Sequence, residues 1–99
     1  MKLAYHPRAA DELRRDARWY ERRAPGTGHR FVALVEQRVS EIVDAPLSFP
    51  RIDGAREVRQ AVLTSTFPYA IVFVVREDVV LVVAVAHAKR RPNYWLKRV

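Results

Sequence analysis

The chain has no cysteine. Disulfides and thiolate metal sites are therefore excluded, and a reducing compartment is compatible with it. No apolar run approaches a bilayer span: the candidate at Val79 to Ala86 is far too short. The opening stretch MKLAYHPRAADEL lacks an apolar h-region, so it does not read as a secretion signal. Repeats and low-complexity tracts are absent too. There is no Gly-x-Ser-x-Gly elbow to support serine hydrolase chemistry. Gly26-Thr27-Gly28 lacks the Gly-Lys-Ser/Thr continuation of a phosphate loop and is better explained as a turn between helices. His6, His29 and His87 lack the spacing of a zinc site, so neither a metal nor a cofactor is expected. Acidic residues are also scarce, eleven against eighteen Lys and Arg, for a formal charge of +7. Such an excess points to an acidic partner: nucleic acid, an anionic surface or an acidic protein.

What is present suits one domain spanning residues 1–99, in a soluble, cytoplasmic protein. Lys2 to Tyr5 reads as a short strand. Pro7 fits the first position of a helix, with Asp11 and Glu12 expected in its first turn. Ala10, Leu13, Ala17, Tyr20 and Ala24 recur at three- and four-residue spacing and make one apolar face. Pro25 stops this helix. Phe31, Val35, Val39 and Ile42 mark a second one, which ends before Pro46. The short link between them predicts an antiparallel helical hairpin. Strands follow at 56–63, 69–75 and 79–86, the last two joined by Glu77-Asp78. The predicted order is β-αα-βββ, an α+β fold with a mostly antiparallel sheet.

The two central strands are apolar at nearly every position, whereas a sheet with one wet face should alternate. Two helices cover only one face. The other is expected to be covered by the C-terminal segment, a second copy or another protein, and a binding partner is the expectation taken forward. Residues 88–99 form a basic, aromatic segment, in which Lys89, Arg90, Arg91, Lys97 and Arg98 are interleaved with Tyr94 and Trp95 and no acid. Cations among aromatics suit nucleic acid or an acidic groove. Trp19 lies nearly opposite the apolar stripe of its helix, as an interface anchor would. The helix carboxylates, interleaved with Arg14, Arg15, Arg18, Arg22 and Arg23, read as solvated ion-pair partners.

The runs PGTGHRF, PLSFPRI, VRQAVL, FPYAIVF and AVAHAKRRPNYW, in this order, resemble ParE-like toxins of the RelE/ParE superfamily. The resemblance covers Ala10 to Trp95. Its most specific parts are Phe67-Pro68-Tyr69 and the ending His87-x-x-Arg90-x-Pro92-x-x-Trp95. It implies a toxin of a bacterial type II toxin–antitoxin pair, held in a hetero-oligomer with a cognate antitoxin and touching operator DNA only through it. One branch of the superfamily, ParE, is associated with inhibition of DNA gyrase. The other comprises metal-independent ribonucleases that cleave mRNA on the ribosome. If the chain were such a ribonuclease, Arg59 and Arg90 would hold phosphate while His87 or Tyr94 moved a proton. The strand that should carry alternating cations begins with Arg56 and Arg59 but continues Gln60-Ala61-Val62-Leu63, which offers no charge to a phosphorane-like transition state. The ParE-type, non-enzymatic activity is therefore favoured. The expected target- or antitoxin-binding residues are Trp19, Arg56, Arg59, Lys89, Arg90, Arg91, Tyr94 and Trp95.

Overall fold

The computed structural model describes residues 1–54 and 57–99. Strand β1 (Lys2–Tyr5) leads into helices α1 (Pro7–Arg23) and α2 (Thr27–Asp44), followed by β2 (Val58–Val62), β3 (Tyr69–Arg76) and β4 (Val79–His87). The sheet runs β1-β4-β3-β2. Strands β2, β3 and β4 form the antiparallel meander, and β1 joins β4 in parallel. The observed architecture is the expected α+β one. The expected strand at 56–63 is shorter at both ends, and Arg56 lies outside the described residues.

His6 caps α1: its Nδ1 accepts the Arg8 amide at 3.1 Å, and Pro7 takes the next position, where no amide is needed. Because the helix starts at Pro7, Asp11 and Glu12 fall in its second turn, not the first as expected. Pro25 ends the helix, and Ala24 is already extended. At the turn, Gly26 adopts φ +89°, which favours glycine, and the Glu21 carboxylate accepts the Gly26 and Gly28 amides at 2.8 and 3.0 Å. The amides that a phosphate would need are thus taken by the chain itself. A Cβ on Gly28 would lie 2.4 Å from the Ala17 carbonyl oxygen, so α1 and α2 touch backbone to backbone there.

Between helices and sheet lies the main core. Phe31, Val35, Val39 and Ile42 of α2 are all buried, as their spacing predicts. They meet Ile71, Phe73, Val80, Val82 and Val85. Phe31 packs on Tyr69 at 4.7 Å between ring centres, and Tyr20 packs on Phe67 at 5.0 Å. The inner face of α1 is displaced from the expected stripe. Ala9 and Glu12 are its buried residues, Leu13, Ala17 and Tyr20 pack beside them, and Ala24 is exposed.

The opposite sheet face carries a second core: Val58, Val72, Val74, Val83 and Ala84 pack with Trp95, which is 3 % exposed. The chain's own C-terminal segment covers this part of the face. This corrects the expectation of an open face awaiting a partner. Trp95 is the largest apolar group beyond β4, and packing it on the valine layer removes both from water.

Candidate protein-binding surface

The C-terminal segment is placed by a buried carboxylate. Strand β1 stops at Tyr5, opposite Val82, so the β4 edge beyond it has no strand neighbour. A bulge follows, since Val72 pairs with Ala84 and Phe73 with Val82, leaving Val83 extra. Two edge groups there find side chains instead: the Val83 carbonyl accepts from Arg98 at 3.0 Å, and the Val85 amide donates to Glu12 at 3.0 Å. Glu12, only 4 % exposed, also accepts the Tyr94 hydroxyl at 2.6 Å and two Arg98 N–H groups at 3.0 and 3.1 Å. A buried charge persists only when paired and hydrogen-bonded, and both conditions are met. Glu12 is thus no solvated ion-pair partner, contrary to expectation. Its only signal in the sequence is its place beside Ala9 and Leu13 on the inner helix face.

This arrangement assigns structural work to several expected contact residues. The phenol of Tyr94 is pushed well above its usual range, by burial first and by its bond to the Glu12 carboxylate second. Its hydroxyl proton is engaged with the Glu12 carboxylate. Trp95 is inside and cannot serve as a surface anchor in this state. Arg59 sits on β2, away from the others, and its guanidinium donates to the Phe49 carbonyl at 2.7 Å, tying down the segment after α2. Lys89 and Arg91 are exposed.

The expected residues come together in two places. Trp19, His87 and Arg90 line one cleft of about 280 Å³, with Tyr69 and Val85 of the sheet and Arg15 of α1. Trp19 is 45 % exposed, with the Arg23 guanidinium 4.4 Å from its ring centre. Arg90 stacks over the Tyr94 ring at 3.9 Å, and its nearest Glu12 oxygen is 3.8 Å away. The His87 Nδ1 accepts the Lys89 amide at 3.0 Å, and its ring stands edge-on to Tyr69 at 5.0 Å. Tyr69 donates to Asp16 at 3.0 Å, and burial first, then the Tyr20 and Asp16 contacts, pushes its phenol far up. Asp16 in turn accepts from Arg15 at 3.2 Å. A depression of about 220 Å³ brings His87, Arg90, Arg91, Tyr94 and Trp95 together with Gln60, Ala70, Val72 and Ala86 of the sheet. Among the described residues, no group of three His, Cys, Asp or Glu is placed to hold a metal ion. Nor is any helix among them long and apolar enough to cross a membrane.

Residues 3–92 match the family model of the ParE toxin of type II toxin–antitoxin systems, parDE. The backbone is similar to a solved chain of the chromosomal ParDE TA system from P. aeruginosa, with a TM-score of 0.78 and 18 % identity over 90 % of this chain and 97 % of that one. No curated protein matches the chain. With nearly its whole length matched by that family model, the chain belongs to the ParE toxin family of type II toxin–antitoxin systems.

Proposed function

We propose that this protein is the toxin of a two-gene module, that a cognate antitoxin neutralises it by direct binding, and that its free form inhibits DNA gyrase without cleaving nucleic acid. The family match over residues 3–92 carries this reading. The +7 charge supports an acidic protein partner. Operator DNA is then reached only through the antitoxin, and the protein works in the cytoplasm, where gyrase acts.

Two of the four residues that a ribonuclease would use, Arg59 and Tyr94, are tied up in the fold, which supports the non-enzymatic branch. Arg59 holds a backbone carbonyl, and Tyr94 is bonded to a buried carboxylate with its phenol pushed up. In the depression beside Arg90, the sheet residues Gln60, Ala70, Val72 and Ala86 add no charge to those of Arg90 and Arg91 for a pentacovalent phosphate. The test is a gyrase supercoiling assay with the purified protein, with and without the product of the adjacent gene. Inhibition that this product reverses is expected. No inhibition at high protein concentration, or cleavage of mRNA on purified ribosomes, would overturn the reading.

A further inference from the structure

The C-terminal segment covers the second sheet face only in part. Trp95 packs with Val58, Val72, Val74, Val83 and Ala84, and the cross-strand row beyond them is less covered. That row is Val62, Ala70 and Ala86, paired in register across β2, β3 and β4. Val62 is 61 % exposed, and Ala70 and Ala86 are partly buried. The two alanines carry only a methyl group each, so a cavity of about 590 Å³ opens above them, bounded by Val62, Thr64, Ser65 and Pro68. It shares Gln60, Ala70, Ala86 and Ala88 with the depression that ends at Arg90 and Arg91. The two form one furrow.

The ends of this furrow differ in chemistry. Among the described residues, no Asp or Glu lines either part. At one end stand Arg90, stacked on the Tyr94 ring at 3.9 Å, and the exposed Arg91. Glu12 lies 3.8 Å from Arg90 and offsets part of its charge, while the lining brings no acid to Arg91. The floor is apolar, with the Gln60 amide beside it to donate and accept. At the other end the Thr64 hydroxyl accepts the Phe67 amide at 3.1 Å and keeps its own proton to donate.

A flat ring with polar edges suits the floor, and a phosphate suits the arginine end. Val62 and Ala86 stand two strand spacings apart, about 9–10 Å, which accommodates a base with its sugar. An aliphatic chain would cover Gln60 and Thr64 without bonding them. A continuing nucleic acid strand would bring a further phosphate to the Thr64–Ser65 end, where the lining holds no cation. Arg38, at that edge of β2, is already held by the Val62 carbonyl and Glu41.

We propose that this furrow binds a free nucleoside monophosphate, with its base on Ala70 and Ala86 beside Gln60 and its phosphate between Arg90 and Arg91. Binding requires neither an antitoxin nor gyrase, so the proposal stands apart from both readings. The arginines belong to the C-terminal segment and the floor to β3 and β4, so the ligand ties that segment down. The melting temperature should therefore rise with ligand concentration.

The experiment is calorimetric titration of the intact protein with the common ribonucleoside monophosphates. Their nucleosides, inorganic phosphate and a single-stranded DNA oligonucleotide are titrated beside them. The variants are R91Q, which removes a cation, and A70L, which fills the floor. R76Q is the control, because Arg76 is exposed at the β3–β4 turn, the opposite end of the hairpin from the arginine pair. Melting curves without ligand check that each variant is folded. At least one monophosphate should bind at millimolar concentration or below and raise the melting temperature. Its nucleoside and inorganic phosphate should each bind about tenfold or more weakly, since each keeps only part of the contacts. R91Q and A70L should weaken the monophosphate about tenfold, with R76Q within about threefold of wild type. Failure of every monophosphate to bind would overturn the proposal. So would a nucleoside or inorganic phosphate binding as well as the monophosphate, or unchanged binding by folded R91Q and A70L. Equal weakening by R76Q would overturn it in favour of net charge. Tighter binding of the oligonucleotide than of every monophosphate would overturn it in favour of a strand.

Discussion

The Glu12 carboxylate on α1 and the Arg98 guanidinium near the C-terminus are 86 positions apart in sequence, yet they share two hydrogen bonds of 3.0 and 3.1 Å. Arg98 also reaches the Val83 carbonyl, and Glu12 the Val85 amide. The pair therefore joins the first helix, the bulged edge of β4 and the C-terminal segment at one point.

Breaking that point should be costly. Glu12→Ala removes the acceptor for three donor residues and strands Arg98, whose side chain is only 10 % exposed. A loss of about 3–5 kcal/mol is expected, as for other broken buried pairs. Urea unfolding measures it, and a change below about 1 kcal/mol would mean that the cluster is not stabilising. Tyr94→Phe should cost less, about 1–3 kcal/mol, since one charge-assisted bond is lost and the ring remains.

The two tryptophans should behave oppositely. Trp95→Ala opens a cavity under the C-terminal segment and should cost about 3–5 kcal/mol, while Trp19→Ala should cost little. In single-tryptophan proteins, Trp95 should emit toward the blue and resist iodide quenching, and Trp19 should do the reverse. Equal quenching of both would contradict the sealed second core.

Gly28→Ala should destabilise the hairpin. The new methyl would meet the Ala17 carbonyl at 2.4 Å, so the helices must part, at about 1–3 kcal/mol. A lowered melting temperature is the expected readout. Gly26→Ala should also destabilise, for a different reason: φ +89° strains any residue with a side chain.

Acid should loosen the helical turn. The Gly26 amide bond, with help from Gly28 and His29, holds the Glu21 carboxyl below its ordinary value of 4.5, against a smaller opposing effect of burial. A depressed folded-state value means that the contribution is full above pH 4.5 and fades as pH falls through the lower, folded value. Glu21→Gln should therefore flatten the acid limb of the stability–pH curve. An acid limb identical to wild type would rule this out. Tyr94 has the opposite sign. Its raised value keeps the phenol's bond to Glu12 intact below pH 10, and that contribution is lost only as pH climbs through the folded value.

Much of the fold is legible from local pattern. Phe31, Val35, Val39 and Ile42 sit one or two turns apart, and prolines at 7, 25 and 46 bound both helices. Each signal acts within a few residues, where helix geometry and proline sterics decide the outcome. The cleft is only partly legible. Trp19 stands out because it falls off the apolar stripe, and His87 and Arg90 because they end a buried strand. That they meet in one cleft depends on how α1 lies across β4, which no local spacing encodes.

By itself the sequence determined the element order, the buried face of α2 and the charge, since all of these follow from residue type and near-neighbour spacing. The tertiary structure alone decided where the C-terminal segment goes. Strand β1 has four residues and β4 has nine, so the edge of β4 outruns its neighbour and leaves backbone groups to be satisfied. Buried backbone groups must find partners, and the partners came from opposite ends of the chain, Glu12 and Arg98. Trp95 was thereby drawn onto the valine face, and what reads along the sequence as a basic arm became the cover of a second core.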